Sequence, residues 1–358
     1  MLLLVELLSL TVLLCSSAVP AWPPAGTTPP VLLFGPLAHH PAPGLPGSKH
    51  VANETLELLA GRSGKWDEVR GRIVASGGAL HTSIYAWGAS SQEPQPEAQR
   101  ELARLMRAQG LSLSVEAGSG FCGRGSGTRN AASNLGRLST YLASGGKVKF
   151  WQLASSFSLT HVHCPNQTLQ VTVHEAAAYA AAVQSALPAA SLFLYDALPH
   201  YSVGTKWPQN PGGPRAHFGL ELGSVLHQLK QAMAAHGVVL HGYWADCPFD
   251  SSDGYPYGDG YKKVAAAAEL VTAMGLQFGK TFNAIQAGQT SSEAYYHATL
   301  DDFARTAAVI PSSSGNATLS YVMSASWYLY PTYAAPESTP YTEANVARDI
   351  FRQITHTR

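Results

Sequence analysis

Charge is the scarcest resource in this chain. Lys and Arg number 23, Asp and Glu also number 23, and charged residues make up 13% of the 358, against a usual share of roughly 25%. With no excess of either sign, no broad field draws in phosphate backbones or acidic membranes, which argues against nucleic acid and for a neutral partner. Cysteine is nearly as rare, with four in all. Cys15 falls in the N-terminal apolar run, and Cys122, Cys164 and Cys247 remain, an odd number that fits one bridge and one buried thiol. Long apolar stretches are missing beyond Met1 to Cys15. That run is too short to span a bilayer comfortably, and the small residues Ser16, Ala18 and Ala21 follow it. It reads as a signal peptide over 1–21, although Glu6 stands where Lys or Arg is usual. The chain is thus expected to be secreted and extracellular, with no stable membrane insertion after cleavage.

What remains has a clear rhythm. Residues 22–30 form a Pro-rich lead-in that cannot bury a core. Strand-length apolar runs then recur eight times: Val31–Phe34, Leu80–Gly88, Leu111–Gly118, Lys147–Ser155, Ser191–Leu198, Val238–Cys247, Leu276–Ala284 and Tyr321–Leu329. Helical patterns lie between them at Pro96–Gln109, Val173–Leu187, Leu220–His236, Tyr261–Met274, Ser292–Val309 and Thr342–His356, several ending at a glycine suited to a helix C-terminus: Gly110, Gly237, Gly275. Ser48 to Gly61 is left to supply the first helix. Strand alternating with helix eight times predicts an α/β fold, a single (β/α)8 barrel over 31–358. An open doubly wound sheet would carry a glycine-rich phosphate turn after its first strand, and Phe34-Gly35-Pro36-Leu37 is not one. Sequons at Asn53, Asn166 and Asn316 fit a glycoprotein on the secretory route.

In such a barrel the working site forms at strand C-termini. In Leu111-Ser112-Leu113-Ser114-Val115-Glu116 the alternation turns Ser112, Ser114 and Glu116 inward and sets Glu116 at the top. The fifth and sixth strands each deliver an acid before a proline-containing turn, Asp196 and Asp246. Glu116, Asp196 and Asp246 are therefore the candidate catalytic residues. Glycoside cleavage requires paired carboxyl groups, one protonating the leaving oxygen and the other serving as nucleophile or as base for water. Tyr85, Trp87, Trp244, Trp327 and Tyr328 offer faces on which sugar rings stack, and Asn283 offers a hydroxyl partner; all are candidate substrate-binding residues. Cys122 and Cys164 follow neighbouring strands and form the expected disulfide, leaving Cys247 as a buried thiol. No metal and no cofactor is expected: His39-His40 and His161-Val162-His163 lack an acidic partner on the eighth strand, and the second pair reads as loop. Gly123-Arg124-Gly125-Ser126-Gly127 reads as a solvated loop, lacking the Lys and helix start of a phosphate cradle.

Three segments, Val115-Glu116-Ala117-Gly118, Gly275-Leu276-Gln277-Phe278-Gly279 and Ser326-Trp327-Tyr328-Leu329-Tyr330-Pro331, resemble the strand ends of secreted glycoside-hydrolase-like TIM barrels, in outline over 31–355. The resemblance implies a carbohydrate ligand and makes Trp327 similar to the aromatic that such barrels set on the floor of the sugar site. It also implies a glutamate at the ends of the fourth and seventh strands. Here those strands end Trp151-Gln152-Leu153-Ala154-Ser155 and Lys280-Thr281-Phe282-Asn283-Ala284, with no acid. Two readings follow: a divergent glycosidase working through Glu116 with Asp196 or Asp246, or a catalytically silent barrel that binds glycan or protein.

Overall fold

The computed structural model describes residues 28–37, 65–84, 96–118, 120–154, 156–206, 219–247, 260–285, 287–310 and 317–355. Eight parallel strands close into one barrel: β1 Val31–Leu37, β2 Ala79–Ser83, β3 Leu113–Ala117, β4 Val148–Ala154, β5 Ser191–Ala197, β6 Leu240–Asp246, β7 Gln277–Phe282 and β8 Leu319–Ala325. Each pairs with its neighbour in the chain, and β1 shuts the ring on β8 in a register running from Val31↔Tyr321 to Gly35↔Ala325. The single (β/α)8 barrel expected from the sequence is the observed fold. A two-residue parallel pairing of Tyr201–Ser202 with Leu220–Glu221 stands outside it.

Both faces of these strands are buried, as parallel strands under helices require. Leu113, Val115, Leu192, Leu194 and Val322 face outward into a layer shared with the helices, while Leu33, Phe150, Phe193, Trp244, Tyr321 and Met323 fill the lumen. The outer layer comprises α1 Asp67–Ala75, α2 Pro96–Ala108, α3 Ser126–Arg137, the short α4 Ser139–Ala143, α5 Ser156–His163, α6 Leu169–Ala186, α7 Leu222–Ala235, α8 Gly260–Ala273, α9 Ser292–Val309 and α10 Glu343–Thr355. Gly110, Gly237 and Gly275 follow α2, α7 and α8 with φ of 69°, 71° and 69°. This is the left-handed conformation that ends a helix most easily at glycine. The C-terminal end is tied to α1: Arg352 of α10 reaches Glu68 at 2.6 Å, and the carboxylate of Glu337, in the segment before α10, accepts from the amides of Glu68 and Val69 at 3.0 Å each. No described helix is long and apolar enough to cross a membrane.

Several boundaries differ from the sequence reading. The eighth strand ends at Ala325 rather than Leu329, because the Ser326 hydroxyl donates to the Tyr330 carbonyl and accepts from the Tyr328 amide, folding the segment into a local turn. His161 and His163 close a helix, α5, and do not lie in a loop. The glycine-rich turn at 123–127 does open a helix, α3, and the anion position at its N-terminus is filled from within. Glu175 of α6 accepts from the amides of Gly125 and Gly127 at 2.9 Å each. The 1–21 and 22–27 segments and the Ser48 to Gly61 helix assignment lie outside the described residues.

Candidate active site

Strand parity brings polar side chains to the C-terminal mouth of the lumen: His81 on β2, Glu116 on β3, Gln152 on β4, Tyr195 on β5, Asp246 on β6, Thr281 on β7 and Asn283 just beyond it. Contacts across and around the ring fix this layer. Nε2 of His81 stands 3.4 Å from Oε2 of Glu116, the Gln152 amide donates to the Ser114 hydroxyl at 3.3 Å, and the Thr281 hydroxyl reaches the Tyr195 hydroxyl at 3.5 Å. Other lumen positions hold an aromatic floor. Phe193 packs against Phe150, Trp244 and Tyr321 with ring centroids at 6.0, 5.9 and 5.0 Å, and Trp244 meets Tyr321 at 5.2 Å. Small residues make room for it. A Cβ on Gly279 would come within 3.0 Å of both Trp244 and Tyr321.

The electrostatics of the mouth centre on Asp246. Burial, followed by the charges of Glu116 and Asp196, pushes its carboxyl up to about 7, against smaller opposing pulls from Lys280 and Asn283. Lys280 is itself turned outward, onto Asp302 of α9 at 2.6 Å, and among the described residues no lysine or arginine occupies a lumen-facing strand position. Tyr195 feels both Asp246 and Glu116. Burial first and these two charges next hold its hydroxyl well above the usual phenol range, so it remains a proton-bearing donor.

The same layer is short of partners. Among the described residues, His81 Nδ1 and Nε2, Glu116 Oε2, Gln152 Oε1 and Asp246 Oδ1 are enclosed with no hydrogen bond, and the Asn283 side chain lies beside the Asp246 carboxyl. An orphaned buried polar group costs about 1–3 kcal/mol, and such groups are otherwise rare. Their concentration on one ring, with donors and acceptors intermixed, sets the mouth apart from the aromatic floor below it.

The sequence candidates divide on this geometry. Glu116 takes the expected inward position with 13% of its side chain exposed, and Asp246 and Asn283 share the mouth with it. Asp196 does not line the lumen. It shares the outward parity of Leu192 and Leu194, and its carboxylate is saturated by the Ser158 hydroxyl at 2.7 Å, the Tyr201 hydroxyl at 2.8 Å and the amides of Ala197 and Ser158 at 2.8 and 3.3 Å. Trp244 is fully buried in the lumen floor, so its face is closed to a ligand. Tyr328 packs over Gly288, where an added Cβ would come 2.8 Å from its ring, and joins the outer cluster. Trp327 is half-buried beside His81 and Tyr195, at centroid distances of 6.1 and 6.4 Å, and borders the polar ring. Tyr85, Trp87, Asn53 and Asn316 lie outside the described residues. Asn166 is exposed in the turn after α5. Cys122 and Cys164 are bridged, with Cα atoms 5.9 Å apart, tying the segments that follow β3 and β4, and Cys247 is a buried thiol.

His81, Gln152 and Tyr195 escaped the sequence reading, whereas Thr281 shares with Gln277 and Asn283 the strand face from which the sequence expects hydroxyl binding. His81 lies in Ala79-Leu80-His81-Thr82-Ser83, which steps from apolar to polar without alternating, so its parity is not marked in the sequence. Gln152 and Tyr195 sit in strands apolar on both faces, where no alternation reveals the inward side.

No protein-family model matches the chain, and no curated protein matches it. Among solved structures it is similar to the xylanase XynB from Paenibacillus barcinonensis, at 11% identity, covering 92% of this chain and 99% of that one, with a TM-score of 0.47. It is also similar to a xylanase from Cellvibrio japonicus in complex with xylopentaose, at 9% identity over 93% of this chain and 68% of that one, TM-score 0.48. The phospho-2-dehydro-3-deoxyheptonate aldolase from Thermotoga maritima is similar at 8% identity over 91% and 68%, TM-score 0.41.

Proposed function

We propose that the chain is a secreted glycoside hydrolase acting on a neutral poly- or oligosaccharide, with Asp246 and Glu116 as its carboxyl pair. The observation that carries this reading is Asp246, a carboxyl raised to about 7 by burial and then by the charge of Glu116, which shares the mouth of the barrel. An acid that still holds its proton near neutral pH is suited to protonate a glycosidic oxygen. Glu116 is then the group that attacks the anomeric carbon or activates the water that does, the division of labour that glycoside cleavage needs. The unpartnered Gln152 amide oxygen, His81 imidazole and carboxyl oxygens match the hydroxyls of a sugar, and the absence of an inward lysine or arginine among the described strand residues disfavours phosphorylated or uronate rings. Trp327 offers the apolar face.

The test is turnover of a panel of neutral glycans by the secreted protein. Glu116→Gln and Asp246→Asn keep shape while removing proton transfer, and each should lower kcat by at least about 10²-fold, with glycan affinity by calorimetry retained. Unchanged turnover in both variants would remove the pair from the mechanism. Tight glycan binding without turnover by the parent would favour the silent-barrel reading. Secretion rests on the N-terminal run and the sequons, and is checked by the mass of the exported chain, expected to start near Trp22, before and after enzymatic deglycosylation.

A further inference from the structure

We propose that His81 is a positioning residue that holds Oε2 of Glu116 through its Nε2–H and so presents the other carboxyl oxygen, Oε1, to the ligand. The proposal rests on the carboxyl-pair reading above for its catalytic consequence, and on geometry alone for the contact.

His81 is fully enclosed, and neither ring nitrogen has a hydrogen bond among the described residues. Such a histidine would be replaced at a gain in stability by an aliphatic residue, unless an unmet group in the lumen has a use. Its ring is also held in one orientation. Trp327 meets it edge-on at 6.1 Å and 74°, and Tyr195 flanks it at 6.5 Å. On the β1 side the seat depends on a glycine: a Cβ at Gly35 would come 3.3 Å from Cδ2 of His81 and 2.5 Å from Cβ of Ala325. Packed against Trp327 and Tyr195, the ring keeps one plane, and its Nε2 edge is the one turned to Glu116.

The separation of 3.4 Å lies just beyond the 2.7–3.2 Å of a formed N–H···O bond, and contacts of this kind are often long in the unliganded state and tighten when substrate arrives. Oε2 is the enclosed oxygen of Glu116 and has no hydrogen bond among the described residues, so the residue's exposure lies on the rest of its side chain. Donation from Nε2 would satisfy both orphans at once, fix the imidazole as the Nε2–H tautomer and stop rotation of the carboxyl. The ionisable groups facing this pair are Tyr195 and Asp246, and neither competes for Oε2 with a hydrogen bond. Orientation of a nucleophile or base is a large contribution to rate, since a displacement of about 1 Å can lose 10²-fold.

Two readouts test the assignment. Long-range ¹H–¹⁵N spectra of protein labelled at its histidines, with the His81 signals assigned by their loss in His81→Gln, should show the Nε2–H tautomer in the parent. That preference should weaken in Glu116→Met, which keeps the volume and removes the acceptor. An Nδ1–H tautomer, or one indifferent to Glu116→Met, overturns the contact whether or not any glycan is hydrolysed. On a hydrolysed glycan, His81→Phe, which keeps a ring without a donor, should lower kcat by about 10- to 100-fold with KM changed less than about threefold, and His81→Gln should recover most of that loss. Full kcat in a folded His81→Phe overturns the positioning role. A parent protein with the expected tautomer and no turnover of any glycan would instead sink the hydrolase reading and leave the contact standing.

Discussion

Asp196 and Asp246 end adjacent strands, yet they serve opposite sides of the barrel wall. The β5–β6 register pairs Asp196 with Ala245 and Ala197 with Asp246, so the two acids are offset by one residue, and in a strand one residue exchanges the faces. Asp246 enters the lumen with an unpaired oxygen, and Asp196 enters the outer layer and is saturated. Chemically alike, they should fail differently on mutation. Asp196→Asn removes a charged acceptor of two hydroxyls and two amides, for which a loss of about 1.5–3 kcal/mol is expected, visible as a lower urea midpoint, while kcat per folded molecule stays of the same order as the parent's. A collapse of kcat in Asp196→Asn with unchanged stability would return Asp196 to the reacting centre. Reading such a difference from sequence was possible for Glu116, whose strand alternates Leu-Ser-Leu-Ser-Val-Glu. It was not possible for Asp196, because Leu192-Phe193-Leu194-Tyr195 is apolar on both faces.

Elements were more legible than residues, for the same physical reason. A strand buried on both faces is a continuous apolar run, so eight such runs located the barrel, and the helices between them carried their own period and their glycine stops. Lengths were misjudged where apolar residues continue past the last ladder bond, as after Ala325. The Lys280–Asp302 contact between β7 and α9 was hidden too, since nothing in the sequence marks an outward lysine as paired. The pair is fully buried at 2.6 Å. Burial drives Asp302 up to about 6 even though Lys280 pulls it down. Removing one member strands the other, and Lys280→Met should cost about 3–5 kcal/mol, while the double change to Lys280→Met with Asp302→Leu should recover most of it. Urea denaturation of the parent, the single and the double variants measures this. Equal losses in the single and double variants would mean that the helix is held to the strand by packing alone.

At the scale of the molecule, the buried carboxyls give stability a definite slope with pH. Burial raises Asp302 from an ordinary 3.8 to about 6, Asp246 from 3.8 to about 7 and Glu343 from 4.5 to about 8. Glu343 lies outside the lumen, behind β8, where it accepts from the Ser324 hydroxyl at 3.3 Å and leaves Oε2 unpaired among the described residues. Each group holds its proton in the fold at a pH where the unfolded chain has released it. Their contributions are therefore most favourable below about 4, decline as pH rises from the unfolded toward the folded value, and level off above it. Glu68 runs the other way. Its hydrogen bond to Arg352 is the main influence that brings it down to about 2, so its support is present above about 4.5 and fades as pH falls toward 2. The opposed slopes set a maximum on the acidic side of neutrality, and thermal unfolding near pH 5 should occur at a higher temperature than near pH 8. Glu343→Gln isolates one contribution. It keeps the hydrogen bond to Ser324 and cannot ionise, so the difference between the two pH values should shrink in the variant, mostly through a gain near pH 8. A parent with equal Tm at both pH values, or a variant whose decline matches the parent's, would mean that Glu343 is not held protonated by the fold.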